Sequence, residues 1–154
     1  MVIRYFGSYG FFLANGTSCK PVSYTHLDVY KRQVIDTQKL HEEGYKNSLA
    51  INFCIYRTSV ARYVEMTEHV QNVPTASLDL PPGYVFMRQW QTRIIGDYCY
   101  IYGETENDEP YLIRQKMGNS LLVGENRNGT LYPSGISIPQ GIPSGTVVSI
   151  VSLP

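Results

Sequence analysis

From Tyr84 to the end of the chain, short apolar runs alternate with turn-forming residues at close intervals. This rhythm narrows the fold more than any other feature of the sequence. Tyr84 to Arg93 reads as one extended run, Gly96 breaks it, and Asp97 to Tyr102 reads as a second. Glu104 to Pro110 is a polar turn, followed by runs at Tyr111 to Lys116 and Leu121 to Glu125. Asn128-Gly129 is the strongest hairpin signal, because both residues tolerate positive φ. Pro133-Ser134-Gly135-Ile136 and Pro143-Ser144-Gly145-Thr146 are similar turns feeding short strands, the last of them Thr146 to Leu153. Two copies are too few for a stacked repeat, which needs about three to bury its faces. The spacing predicts a mainly β fold, a β-sandwich or barrel-like arrangement with one short helix near 59–72. An α+β fold is the second choice.

Upstream, the pattern is less regular. Residues 34–47 are polar, with Leu40 the only large apolar residue between a candidate cap at Asp36 or Thr37 and a candidate stop at Gly44. They predict one loose helical turn or an ordered tail. Residues 48–57 read as a strand, with Leu49, Ile51, Phe53 and Ile55 on one face and Ala50, Asn52, Cys54 and Tyr56 on the other. Val60, Tyr63, Val64 and Thr67 follow helical spacing, although Val60, Arg62, Val64 and Met66 also alternate. Helix is preferred there because no Gly or Pro interrupts the segment. Thr75 to Gly83 is a loop ending in Pro81-Pro82-Gly83.

Residues 21–33, Pro-Val-Ser-Tyr-Thr-His-Leu-Asp-Val-Tyr-Lys-Arg-Gln, stand apart from this pattern. A permitted codon choice for Tyr24 to Tyr30 is TAT ACA CAT CTA GAT GTG TAT, which contains a perfect inverted repeat. The segment resembles the translation of two transposase adaptor ends joined head to head, a scar of metagenomic assembly. The resemblance implies that 1–20 is a fragment of uncertain origin outside the fold. It also implies that 21–33 is a linker-like artefact and that 34–154 is a single β-rich domain. Residues 34–154 hold 9 Lys and Arg against 12 Asp and Glu, a formal charge of −3. With no basic stripe, nucleic acid is not an expected partner. No run approaches the roughly 20 apolar residues of a membrane helix, so a membrane is not expected either. Cys54 and Cys99 both lie in apolar stretches and are read as buried free thiols rather than a disulfide.

Residue patterns that carry chemistry are sparse. His41 and His69 lack metal-ligand company: Glu65-Met66-Thr67-Glu68-His69 has Glu where an inverted zinc-protease pattern needs His, and His41-Glu42-Glu43 lacks a second His. Glu65 and His69 are read instead as a pair one helical turn apart. Gly124 to Gly129 has the glycine spacing of a phosphate loop, but Thr130 stands where Lys is required. Glu104, Glu106, Asp108 and Glu109 could ring a calcium ion, yet the bend glycine and distal Glu are missing, so a solvated turn is preferred. Asn15-Gly16-Thr17 and Asn128-Gly129-Thr130 fit the glycosylation acceptor pattern and are given no functional weight. No catalytic residue, metal ligand or cofactor-binding residue is therefore assigned, and no cofactor is expected.

The aromatic residues offer more. Tyr98, Tyr100 and Tyr102 share one strand face, with Cys99 and Ile101 opposite, and Arg88, Trp90 and Arg93 lie on the preceding run. Arg88, Trp90, Tyr98, Tyr100 and Tyr102 form a candidate binding face, since Tyr, Trp and Arg are common interface anchors. The competing expectation is that the tyrosines simply cover the core with their hydroxyls in water. The leading functional expectation is a non-enzymatic structural or interaction module that binds a protein partner or itself. Over residues 84–154 the general character resembles phage virion and tail-associated β domains, which implies a homo-oligomer. A carbohydrate-binding module with a Tyr and Trp stacking face is the first alternative. An unrecognised hydrolase, which would need His69 or His41 joined to a carboxylate and a hydroxyl, is the second.

Overall fold

The computed structural model describes residues 25–154. The chain divides into two compact units, Met1–His41 and Glu42–Pro154. In the first unit the described residues are helical, and the side chains of residues 31–41 are all exposed. The second unit carries the sheet and the core.

Helix α1 spans Thr25–Met66. This corrects three expectations: the helix is not confined to 59–72, residues 34–47 are not one loose turn, and residues 48–57 are not a strand. The physical reason lies in the spacing of Leu49, Phe53, Tyr56, Val60 and Val64, all essentially inaccessible. Steps of four, three, four and four residues put them on a single helical stripe. The alternation of Leu49, Ile51, Phe53 and Ile55 was a coincidence of two adjacent stripes. Ile51 is 43% exposed and Ile55 half-buried, so neither shares the burial of Leu49 and Phe53. Gly44 sits inside the helix without stopping it, and Thr37 is no cap, since its hydroxyl donates back to the Gln33 carbonyl at 2.8 Å.

The strands are β1 (Gln91–Ile95), β2 (Tyr98–Glu104), β3 (Val123–Arg127), β4 (Thr130–Tyr132), β5 (Ile136–Ser137) and β6 (Thr146–Ser152). They form one six-stranded sheet in the order β1-β2-β6-β3-β4-β5. Every neighbouring pair is antiparallel, and β6 lies between β2 and β3. Helix α2 spans Glu109–Lys116, replacing the extended run expected at Tyr111 to Lys116. Pro110 in its first turn suits a helix start, and Glu109 reaches back to accept the Glu106 N–H at 2.8 Å. Over the described residues the fold is therefore α+β, a single antiparallel sheet with two α-helices, rather than a sandwich or barrel.

The turn residues behave as their chemistry demands. Asn128 and Gly129 take φ of 53° and 83° between β3 and β4, the positive pair that a tight hairpin requires. The run from Tyr84 to Arg93 is not one strand, because only its end from Gln91 joins the sheet. Alternation along β2 and β6 sorts the core into two layers. Cys99, Ile101 and Val147 join Leu49, Phe53, Val60, Val64, Trp90, Ile113 and Val123 in one cluster. Tyr100, Tyr102, Val148 and Ile150 join Leu131, Ile138 and Ile142 in another. Helix α1 thus covers one face of the sheet, and the turn-rich stretch 138–142 caps the opposite one.

Candidate functional site

The five residues of the expected binding face fall on both sides of the sheet. Tyr98, Tyr100 and Tyr102 do share a face, with Cys99 and Ile101 opposite. Tyr100 and Tyr102 are buried under the 138–142 cap, and burial pushes the Tyr100 hydroxyl above its usual pKa. Tyr98 is 48% exposed and meets Tyr100 edge-on, with ring centroids 6.5 Å apart. Trp90 belongs to the other layer: its ring packs edge-to-face on Phe53 at 5.0 Å and lies over Gly103, where a Cβ would collide with the indole. Arg88 also points away from the tyrosines, into a carboxylate cluster.

That cluster joins three elements. Arg88 Nη2 donates to Glu106 Oε1 at 3.0 Å and to the buried Glu109 Oε1 at 3.2 Å. Lys46 on α1 bridges Glu42 at 2.9 Å and Asp108 at 2.8 Å. The Lys46 hydrogen bond holds the Asp108 carboxyl below its usual range, and Asp108 in turn keeps the Lys46 ammonium charged to higher pH. Three of the four carboxylates in this loop are thus spoken for by cations of the chain. Among the described residues, no group of three or more His, Cys, Asp or Glu is placed to hold a metal ion.

Asn52 is a pivotal residue that pattern reading put on the second face of a strand, beside Ala50, Cys54 and Tyr56. Its side-chain amide donates to the Val85 carbonyl at 2.8 Å. Its side-chain oxygen accepts from Trp90 Nε1 at 2.8 Å, the Tyr84 hydroxyl at 3.1 Å and the Met87 N–H at 3.3 Å. One nearly buried amide therefore pairs two backbone groups and two side chains of residues 84–90, which lack a strand partner there. The only sequence clue was a polar residue inside an apolar helical stripe.

Beside that stripe runs a second one. Ile51, Cys54, Ile55, Thr58, Ser59 and Arg62 follow i, i+3, i+4, i+7, i+8 and i+11 along α1. Together with Asp79 to Pro82 and Lys116 they line an open groove of about 520 Å³. Its polar groups are largely engaged within the chain. Thr58 Oγ1 donates to the Cys54 carbonyl and Ser59 Oγ to the Asp79 carbonyl, both at 2.8 Å, and Arg62 pairs with Asp79 at 3.1 Å.

Among the described residues, neither the thiols nor the imidazoles join a reactive cluster. Cys54 and Cys99 are both free. Burial pushes the Cys99 thiol up to about 11 and raises Cys54 too, with Arg57 and Lys116 pulling Cys54 the other way. Both therefore stay protonated near neutral pH, the less nucleophilic state. The expected Glu65–His69 helical pair is not formed, because α1 ends at Met66 and His69 takes φ of 54°. His69 instead lines a smaller cleft of about 320 Å³ with Thr67 and Asp97. No hydrogen bond links these three side chains to one another. His41 is exposed. Asn15 of the first glycosylation pattern lies outside the described residues.

No curated protein matches the chain. Among solved structures, the crystal structure of a protein PilM from Escherichia coli B7A is similar to it with a TM-score of 0.55. The match covers 71% of this chain and 93% of that one at 17% identity, which is a likeness of fold. The sequence model of the PilM family matches residues 23–150, most of the chain's length. On that match, with the sheet and helices it encompasses, the chain belongs to the PilM family.

Proposed function

We propose that this chain is a non-enzymatic interaction module of a type IV pilus system, binding another protein through the surface of its second unit. Membership of the PilM family over residues 23–150 carries the reading, since it points to protein interaction in pilus assembly. The chemistry of the surface agrees with it. Ile51, Cys54, Ile55, Leu80, Pro81 and Pro82 give the α1 groove most of its surface, and its Thr58 and Ser59 hydroxyls are already donated inward. Such a surface suits docking better than bond-making, which needs converging acid, base or nucleophile. No helix among the described residues is long and apolar enough to cross a membrane. A carbohydrate platform would rest on Tyr98 alone among the tyrosines of β2, because Tyr100 and Tyr102 are covered.

The test is genetic and chemical together. In a host that assembles type IV pili with a homologous protein, replacing that gene with one encoding this chain should preserve piliation. A photo-crosslinker at Thr58 should then yield an adduct with another pilus component. Normal piliation without any copy of the gene, or crosslinks only to proteins outside the pilus system, would overturn the proposal.

A further inference from the structure

Resting on that interaction reading, we propose that the groove along α1 is a docking site for an amphipathic helix that presents an apolar stripe to Ile51 and Ile55 and a carboxylate to Lys116. Three observations lead to a helix rather than an extended segment. First, the α1 side of the groove is itself a helical stripe, and Ile51, Cys54 and Thr58 repeat at three and four residues, the spacing that interdigitates with a second helix. From Ile51 to Arg62 it runs about 16 Å, or roughly three helical turns.

Second, the groove offers little to a bare backbone. Pro81 and Pro82 in its wall have no N–H, and the Thr58 and Ser59 hydroxyl protons are committed to carbonyls of this chain. An extended occupant would leave its own carbonyls unpaired at the cost of buried polar groups. A helix pairs its backbone internally and brings only side chains to the contact.

Third, the groove is electrostatically one-sided. The Arg62–Asp79 pair neutralises one end. Lys116, in the last turn of α2, is exposed, and no carboxylate among the described residues lies within ion-pair distance of it. A partner carboxylate would complete the pair, and a partner cation would be repelled. The charge therefore sets which end of the incoming helix lies near α2, a matter of orientation more than of affinity.

The probe is a fluorescein-labelled, hydrocarbon-stapled peptide of about twelve residues, long enough to span the groove. It carries leucines at helical spacing and one Glu in its first turn, and a twin carries Lys instead of that Glu. Both are titrated against the full chain by fluorescence anisotropy. The Glu probe should bind about five-fold more tightly than its twin, the scale expected for reversing one partly exposed ion pair. Lys116→Glu should invert that preference, and Ile55→Asp should weaken both probes at least about ten-fold by putting a charge against the apolar stripe. Lys116→Glu alters only an exposed side chain, so it keeps the test valid if Ile55→Asp perturbs folding. Equal affinity of the two probes, or binding indifferent to both substitutions, overturns the proposal. So does concentration-dependent dimerisation that Ile55→Asp abolishes and the probes fail to compete, which would make a second copy the occupant. If the probes fail while the Thr58 crosslink to a pilus component persists, the helical partner is refuted and the interaction reading survives.

Discussion

The two faces of the sheet are built by different means. On one, residues 49–64 of α1 supply Leu49, Phe53, Val60 and Val64 to strands that begin some forty residues later. On the other, Leu131, Val148 and Ile150 are covered by Ile138 and Ile142, from a turn between β5 and β6. The first face is a deep layer closed by a rigid element and pinned by Asn52. The second is a shallow layer held by the loop that also delivers β6, with Asn126 donating to the Ile142 and Pro143 carbonyls at 3.0 Å. Stability should therefore reside chiefly in the helix-covered face, where the larger buried cluster packs against a rigid element.

The largest effect should follow Phe53→Ala, which empties the contact with Trp90 and should cost about 3–5 kcal/mol in urea unfolding. Ile142→Ala on the capped face should cost about 2 kcal/mol, because a loop can settle into the space. Equal costs for the two would break the distinction between the faces. Between these two falls Asn52→Leu, expected to cost about 3 kcal/mol. It keeps the branched shape of the side chain but strips partners from Trp90 Nε1, the Met87 N–H and the Val85 carbonyl. Its signature is a shift in tryptophan fluorescence before global unfolding, and its absence would mean that residues 84–90 hold themselves.

A smaller effect concerns pH. Lys46 lowers the folded-state pKa of Asp108, so the pair stabilises the fold above the unfolded carboxylate pKa. That contribution fades as pH falls through the lowered folded value. The melting temperature of Asp108→Asn should therefore lie slightly below that of the parent at neutral pH, and the gap should close below about pH 4. A gap that persists in acid would assign the role to the shape of the α2 start rather than to charge.

The smallest expected effect is none. Our proposal that residues 21–33 translate an adaptor junction implies that removing 1–33 leaves the melting temperature of Glu42–Pro154 unchanged. These residues do follow a helical path from Thr25, and the family match starts at residue 23. A clear drop in stability on truncation would mean that the segment contributes to the fold.

How much could be read from residues alone follows the same division. The turns at Asn128-Gly129 and Gly145, the final strand and the two-sided character of β2 were legible, because turn chemistry and period-two alternation are local. The helix over 48–57 was not, because Leu49, Ile51, Phe53 and Ile55 satisfy strand alternation while Leu49, Phe53, Tyr56 and Val60 satisfy helical spacing. Trp90 was grouped with the tyrosines by proximity in sequence, and only the sheet separates them: the indole takes the α1 side, over Gly103. The links of Arg88 to Glu106 and Glu109 and of Lys46 to Asp108 left no sequence signal, since those partners lie 18 to 62 residues away.

By itself, then, the sequence determined where this chain must turn and which residues of its strands lie on a common side. Those properties depend on backbone φ preferences and on the pleat, each confined to a few neighbouring residues. The tertiary structure decided that an ambiguous apolar run would become a helix, which side of the sheet it would cover, and what its second stripe would leave open. Burial against distant strands chose between two periodicities that local propensity could not separate.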